Sequence, residues 1–338
     1  MEKITANNFI TDINTDTYNK TDKVYISSLI DTVEGNLDIN TRSELKKCIL
    51  KFCPDCDSLY NTRDVWARDY MPIQLTENIY LSFIYRPDYL ADYIKCTTDW
   101  RLHKVHSQKQ TQEEFLKSDF VQMIPIILDG GNVVKAIVNN KPCIIMCDKV
   151  LWENNVNEKE FRDWWGRWWK DNFNGTEMQL VLLPWEGKDV NPIGHADGIV
   201  RYIGNNKVLM TNYADYDQIY GSDYSKLYRK KLSEVGFDVI ELSYLDKLDY
   251  ENDKLFRLLF KYSWCYINYL QVDNKILIPS LGYDVLDNEA KQQVEQALNV
   301  EVKLIDVDMT SIVEDMNDNQ NSGGALNCLT WTIRKNKE

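Results

Sequence analysis

Four stretches of this chain repeat one pattern: an extended run, a short turn containing asparagine, and a second extended run. They are PIQLTENIYLSF (72–83), VVKAIVNNKPCIIM (133–146), IVRYIGNNKVLM (199–210) and INYLQVDNKILIP (267–279). Asparagine accepts the positive φ that a tight turn requires, so each stretch reads as a β-hairpin. The turn residues Asn78, Asn140, Asn206 and Asn274 stand 62, 66 and 68 positions apart. A period in the sixties fits a supersecondary unit of strands plus a helix.

Helical signals fall between the hairpins. EKEFRDWWGRWWKDNF (158–173) places Phe161, Trp164, Trp165, Trp168 and Trp169 at i, i+3, i+4, i+7 and i+8. That stripe predicts a helix turned towards a core, with some aromatic surface left over. DYSKLYRKKLSEVG (223–236) predicts a helix ended by Gly236 ahead of the strand FDVIEL. DNEAKQQVEQAL (287–298) predicts another, with Asp287 as its N-cap. Nothing between the units is rich enough in Pro, Gly or Ser to be a linker, so residues 1–338 are expected to form a single domain of repeated modules.

A short polar or glycine-rich stretch precedes each hairpin: WARDYM (66–71), LDGGN (128–132), GHADG (194–198) and SWCYIN (263–268). A fifth, GGALNC (323–328), precedes the strand LTWTIR, after which the chain ends without a partner strand. An N-terminal strand such as VYISSLI (24–30) would supply that partner. The expected architecture is a five-bladed α/β propeller of ββαβ-type modules with pseudo-fivefold symmetry, each blade pointing one motif at the centre. The motif-bearing modules lie near 66–83, 128–147, 194–213, 263–281 and 323–334.

Charge narrows the partners. With 52 acidic and 39 basic residues the formal net charge is −13. That balance argues against nucleic acid or an anionic membrane and is compatible with a cationic ligand. No apolar run approaches the roughly 18–20 residues of a membrane span. The start, MEKITANNFITDINTD, lacks the basic and apolar pattern of a secretory signal. Eight cysteines in such a chain read as reduced thiols of a cytoplasmic protein. Cys53 and Cys56, with His103 and His106, have some character of a zinc site. The histidines are closer together than the usual ligand spacing, so incidental thiols are the preferred reading, and neither metal nor cofactor is expected.

The five motifs together offer Trp66, Arg68 and Asp69; Asp129 and Asn132; His195 and Asp197; and Gly323, Gly324 and Cys328. On a strand, a His-x-Asp would place both side chains on one face. His195 is the best candidate for acid–base work near neutral pH. Several carboxylates converging on one place suggest a cationic ligand, and a planar guanidinium suits them because carboxylates bridge it bidentately. Trp66 could stack on its face for about 1–2 kcal/mol when desolvated. Cys328, facing the guanidinium carbon, would be the nucleophile. Plain readings stand beside these: Cys328 as a buried structural thiol, Asp69 in an ion pair with Arg68, and Asp129 holding the Gly-Gly turn.

In order and spacing, WARDYMP, DGGN, GHADG and GGALNC resemble the agmatine deiminase and bacterial peptidylarginine deiminase family of guanidino-group-modifying penteins. The resemblance spans roughly residues 60–335, and CYINYLQVDNKILIPSLGYDVLDNEA (265–290) is similar to the family's fourth module. It implies Cys328 as nucleophile, His195 as general acid and base, and Asp69 and Asp197 as guanidinium-binding carboxylates. It further implies that Trp66, Gly131 and Asn132 line the pocket and that Gly323 and Gly324 present the nucleophile; Asp129 is a candidate to reach the ligand.

Two positions depart from the family. Asn327 stands where members often carry histidine, and Met71 where glycine is common. Strand alternation would turn Asn327 away from the face that Cys328 occupies. The implied activity is hydrolysis of agmatine or a similar small guanidino compound to a ureido product and ammonia, by a homodimer in the cytoplasm. Peptidylarginine deimination, amidino transfer and non-catalytic binding of a cationic ligand or protein are the alternatives. Arg86, Arg101 and Lys135 lie near the motifs as candidates for the far end of a pocket.

Overall fold

The computed structural model describes residues 1–31, 39–60, 62, 64–86, 116, 120–187, 193–248, 253–313 and 323–337. Its strands are β1 (Lys20–Ser27), β2 (Asp57–Leu59), β3 (Ile73–Gln74), β4 (Ile79–Ile84), β5 (Phe120–Ile127), β6 (Val134–Val138), β7 (Lys141–Cys147), β8 (Gln179–Leu183), β9 (Val200–Gly204) and β10 (Lys207–Met210). The series continues with β11 (Asp238–Glu241), β12 (Leu270–Val272), β13 (Lys275–Ser280), β14 (Glu301–Asp308) and β15 (Thr330–Asn336).

These strands make five three-stranded sheets, β3-β4-β5, β6-β7-β8, β9-β10-β11, β12-β13-β14 and β15-β1-β2. In every sheet the first two strands are antiparallel and the third runs parallel to the second. A parallel neighbour needs a crossover, which explains the long sequence period. The crossovers include the helices Ile39–Phe52, Glu158–Asn172, Tyr224–Val235 and Asp284–Leu298. The fifth sheet is closed by the N-terminal strand, as the sequence predicts. Its pairing sets Val24 opposite Thr332 and Tyr25 opposite Trp331, and β1 starts earlier than expected, at Lys20.

The hairpin turns follow the asparagine rule in part. Asn139 and Asn140, and likewise Asn205 and Asn206, all have positive φ, as a two-residue turn matched to strand twist requires. In the fourth hairpin Asp273 takes that conformation and Asn274 does not; Asn78, in the wider first turn, does not either.

The helix Glu158–Asn172 buries Phe161, Trp165 and Trp169 and leaves Trp164 and Trp168 half-buried, as the stripe implies. Rings of this size contribute about 4–6 kcal/mol each as an upper bound. Gly236 ends its helix at φ 111°, as expected. Asp287 differs. The helix begins at Asp284 with Tyr283 at its cap position. The buried Asp287 carboxylate instead accepts from the backbone of Leu281 and Tyr283 and from the hydroxyls of Ser280 and Tyr266, tying down the loop that enters the helix.

Each motif forms a short helical turn directly ahead of the first strand of its blade: Ala67–Tyr70, Gly130–Asn132, Ala196–Gly198, Ser263–Ile267 and Leu326–Leu329. Neighbouring turns touch in sequence order, and Leu326–Leu329 touches Ala67–Tyr70. The ring is completed by the Asn327 N–H, which donates to the Asn268 carbonyl at 3.0 Å. Five blades therefore converge their motifs on one axis.

Candidate active site

The turns, rather than strands, aim the side chains. In a helical turn successive side chains stand about 100° apart, closer than the opposed neighbours of a strand, while residues two apart diverge, so the strand-based expectations for two pairs change. His195 sits at the start of the third turn with extended backbone and Asp197 lies within the turn, so the two diverge. His195 reaches across to the first two motifs, its Nε2 3.1 Å from Asp129 Oδ2 and its Nδ1 3.7 Å from Asp69 Oδ1. Asp197 reaches the fifth. Asn327 Nδ2 donates to Asp197 Oδ2 at 2.6 Å, and Cys328 Sγ faces the same oxygen at 3.7 Å. Asn327 and Cys328 thus share a face, contrary to the alternation argument, because Leu326–Leu329 is helical.

Glycine is required at two points by packing. A Cβ on Gly131 would stand 2.6 Å from His195 Nδ1 and 2.7 Å from Asp69 Oδ1. Its absence lets the Gly131 N–H donate to Asp69 Oδ1 at 3.0 Å. A Cβ on Gly324 would stand 2.2 Å from the Trp66 ring, so Trp66 lies directly on the backbone that leads to Cys328. Gly323 is buried beside it. Asn132 lies one step back from the acids. Its Oδ1 accepts from the N–H groups of Cys147 and Ala196 and its Nδ2 donates to the Cys147 carbonyl, which locks the second turn to the third.

Asn268 is a residue that motif reading passed over. Its Oδ1 accepts from the N–H groups of Asn327 and Cys328 at 3.1 and 3.2 Å, and its Nδ2 donates to the Asp197 carbonyl at 3.4 Å. The signal was present, since SWCYIN occupies the equivalent place in the fourth module and ends on this residue. Asp129 also does more than hold its turn, because its carboxylate meets the imidazole.

The remaining expectations divide. Met71 is fully buried among the core residues of the first blade. Arg86 is exposed just past the end of β4, while Arg101, His103 and His106 lie outside the described residues. Lys135 is buried on β6, where its Nζ donates to the Gln74 carbonyl at 3.0 Å. Cys53 is buried and Cys56 half-buried. Among the described residues no cluster of His, Cys, Asp and Glu is placed to hold a metal.

The model of the Porphyromonas-type peptidyl-arginine deiminase family matches residues 32–333. The chain belongs to that family. Membership makes it a deiminase of guanidino groups, a hydrolase of C–N bonds in linear amidines. Solved structures carry the same fold. The agmatine deiminase of C. jejuni is 15% identical with a TM-score of 0.63, covering 94% of each chain. The agmatine deiminase of Enterococcus faecalis is 13% identical with a TM-score of 0.59, covering 98% of this chain and 97% of that one. No curated protein matches this chain in sequence.

Electrostatics follow from crowding three carboxylates into a buried space. Burial pushes the Asp69 carboxyl up to about 7; the neighbouring Asp129 and Asp197 add to this, while His195 opposes it. For His195 burial acts downward, but Asp69 and the hydrogen-bonded Asp129 outweigh it and raise the imidazole to about 9. Burial also pushes the Cys328 thiol well above its ordinary value, helped by Asp197 and then Asp69. At neutral pH the free site therefore holds an imidazolium and a thiol.

A pH profile should report these groups. In kcat/KM, which reflects the free protein, activity should rise as Asp69 ionises near 7 and fall as His195 loses its proton near 9. Because Asp129 raises His195, Asp129→Asn should move the alkaline limb down by about one unit or more. An unmoved alkaline limb in that variant would mean another group sets it.

Proposed function

We propose that this family member hydrolyses a small agmatine-like guanidino compound through a covalent cysteine intermediate. The observation that carries this reading is the placement of Cys328 Sγ against Asp197, with His195 held by Asp69 and Asp129 within the same ring of turns. A thiol surrounded by carboxylates is a poor nucleophile until a cation enters. A guanidinium bridged by Asp69 and Asp197 neutralises the field that suppresses thiolate formation, so substrate binding itself favours release of the Cys328 proton to solvent. The nucleophile is thereby armed chiefly when substrate is present.

The steps balance as follows. The Cys328 thiolate forms a C–S bond to the guanidinium carbon, giving a tetrahedral intermediate. His195, protonated in the free site, gives its proton to the departing nitrogen, and ammonia leaves as the C–N bond breaks. The S-alkylthiouronium remains. His195, now neutral, takes a proton from water, and the resulting hydroxide attacks the same carbon. Collapse of the second tetrahedral intermediate breaks the C–S bond, and its hydroxyl proton passes to the departing sulfur, restoring the Cys328 thiol and releasing the neutral ureido product. No metal or cofactor enters the sequence. Because all five turns supply the site, we read residues 1–338 as one catalytic unit. Among the described residues no helix is long and apolar enough to cross a membrane.

Agmatine is the substrate we favour, since the C. jejuni and Enterococcus faecalis structures, similar over nearly their whole length, are agmatine deiminases. Others of matching length are named for peptidyl-arginine and arginine deimination, which makes those substrates the alternatives to test. Ammonia release from agmatine, free arginine and an arginine-containing peptide tests the choice. Turnover of agmatine at least about 100-fold above the others in kcat/KM, a difference of about 2.7 kcal/mol, is the expected result. Preference for the peptide would assign the peptidylarginine reaction that the family's description names, and no ammonia from any of the three would overturn the deiminase mechanism.

A further inference from the structure

Behind the catalytic ring lies a second polar space on the same axis. It is a cavity of about 30 Å³ lined by Arg68, Lys135, Arg201 and Arg334, by Asp12 and Asp22, and by neutral groups including Gln74, Gln271 and Asn327. The lining follows the repeat. Gln74, Lys135, Arg201 and Gln271 are each the second residue of the first strand of their blade, and Thr332 and Arg334 come from β15 in the fifth. Apolar residues at these positions would fill the axis. This chain places four cationic side chains there against two carboxylates.

The two carboxylates are already engaged. Asp22 Oδ1 accepts from Arg334 Nε at 2.8 Å, and Asp12 stands 3.8 Å from Lys135 Nζ. Arg201 is 3% exposed and forms no ion pair with a carboxylate among the described residues; its guanidinium lies 4.6 Å above the Tyr269 ring. The Nε atoms of Arg201 and Arg68 are buried with no hydrogen-bond partner. Arg68 turns its Nη2 the other way, to Asn327 Oδ1 at 2.9 Å, and so joins this chamber to the catalytic ring. Burial of unpaired guanidinium donors is costly unless something in the chamber accepts from them. The excess of cations is also felt by Lys135, which burial, Arg334 and Arg68 lower to about 8 against the opposing pull of Asp12.

We propose that the axial chamber binds a single halide ion, held by the guanidinium groups of Arg201 and Arg68. The volume of about 30 Å³ is that of two or three water-sized particles at roughly 10–15 Å³ each, which suits a monatomic anion better than the larger sulfate or phosphate. The buried Gln271 Oε1, itself without a partner, lies on the same wall and leaves the donors of the chamber, not its acceptors, in the majority.

Crystals grown in sodium bromide test this by anomalous diffraction, with thermal melting of the full chain in bromide, chloride, sulfate and gluconate at fixed ionic strength. The expected result is one bromide peak in the chamber at hydrogen-bonding distance from Arg201 and Arg68. Bromide and chloride should raise the melting temperature of the natural protein saturably, by about 3 °C, and sulfate should not. Arg201→Gln should lose both the peak and the saturable shift. Should that variant fail to fold, Arg201→Lys, which keeps the charge and loses the Nε donor, serves instead. Water in the chamber at saturating bromide overturns the proposal. So does a peak accompanied by equal melting responses in the natural and variant proteins, which would mark binding at crystal concentration only.

Discussion

Replacing Cys328 by alanine should abolish ammonia release, a loss of about 10⁴-fold or more in kcat, while the thermal transition stays within a few degrees of the natural protein. Among the described residues Cys328 alone places a sulfur against the Asp197 carboxylate, and it is the nucleophile of the proposed covalent intermediate. The turn that carries it is held by main-chain bonds to Asn268 that alanine keeps. A purely structural thiol would behave in the reverse way, with activity retained and the transition lowered by the small cavity left behind. Activity assay and melting curve on the same preparation separate the two.

The repeat was legible because turn chemistry and strand alternation act locally. Asn140 and Asn206 adopt positive φ for the reason that made them visible, and β15 lacks a neighbour in its own module until β1 supplies one. The tryptophan stripe was legible for the same reason, since helical spacing decides which rings reach the core. The site was legible as a set of residues and only partly as geometry. His195 and Asp197 sit two apart, which on a strand means one face, yet the chain is helical there and sends them to opposite partners. The same error placed Asn327 away from Cys328. Each motif turn is only three to five residues long, too short for periodicity to reveal. Asn268 escaped because its role rests on contacts across some sixty residues of sequence, with no local pattern to announce them. The axial chamber was hidden likewise: the sequence offers Lys135 only as a candidate for the far end of a pocket, and its place beside Gln74, Arg201 and Gln271 emerges once four blades bring their equivalent residues together.

Asp197→Asn should move two observables in opposite directions. The carboxylate oxygen that faces Cys328 also accepts from Asn327 Nδ2 at 2.6 Å, so one atom orients the fifth turn and, in the proposed mechanism, offers charge to a guanidinium. Its amide replacement removes the charge-assisted contact, and kcat/KM should fall by about 10³-fold, equivalent to about 4 kcal/mol of transition-state stabilisation. Yet Asp197 is the carboxylate that contributes most, after burial, to suppressing ionisation of Cys328. Without it the thiol pKa drops, so alkylation of the substrate-free protein by iodoacetamide at a fixed pH near 8 should become faster than in the natural protein. A variant that merely disturbs the fold would expose every buried cysteine, and mass spectrometry would then find label on Cys143 and Cys147 as well as Cys328. Slower alkylation of Cys328 together with lost turnover would show that Asp197 activates the thiol directly, and arming of the nucleophile by the substrate cation would have to be abandoned. Faster alkylation confined to Cys328, with turnover lost, is the signature of a site whose acids restrain the nucleophile until the cation arrives.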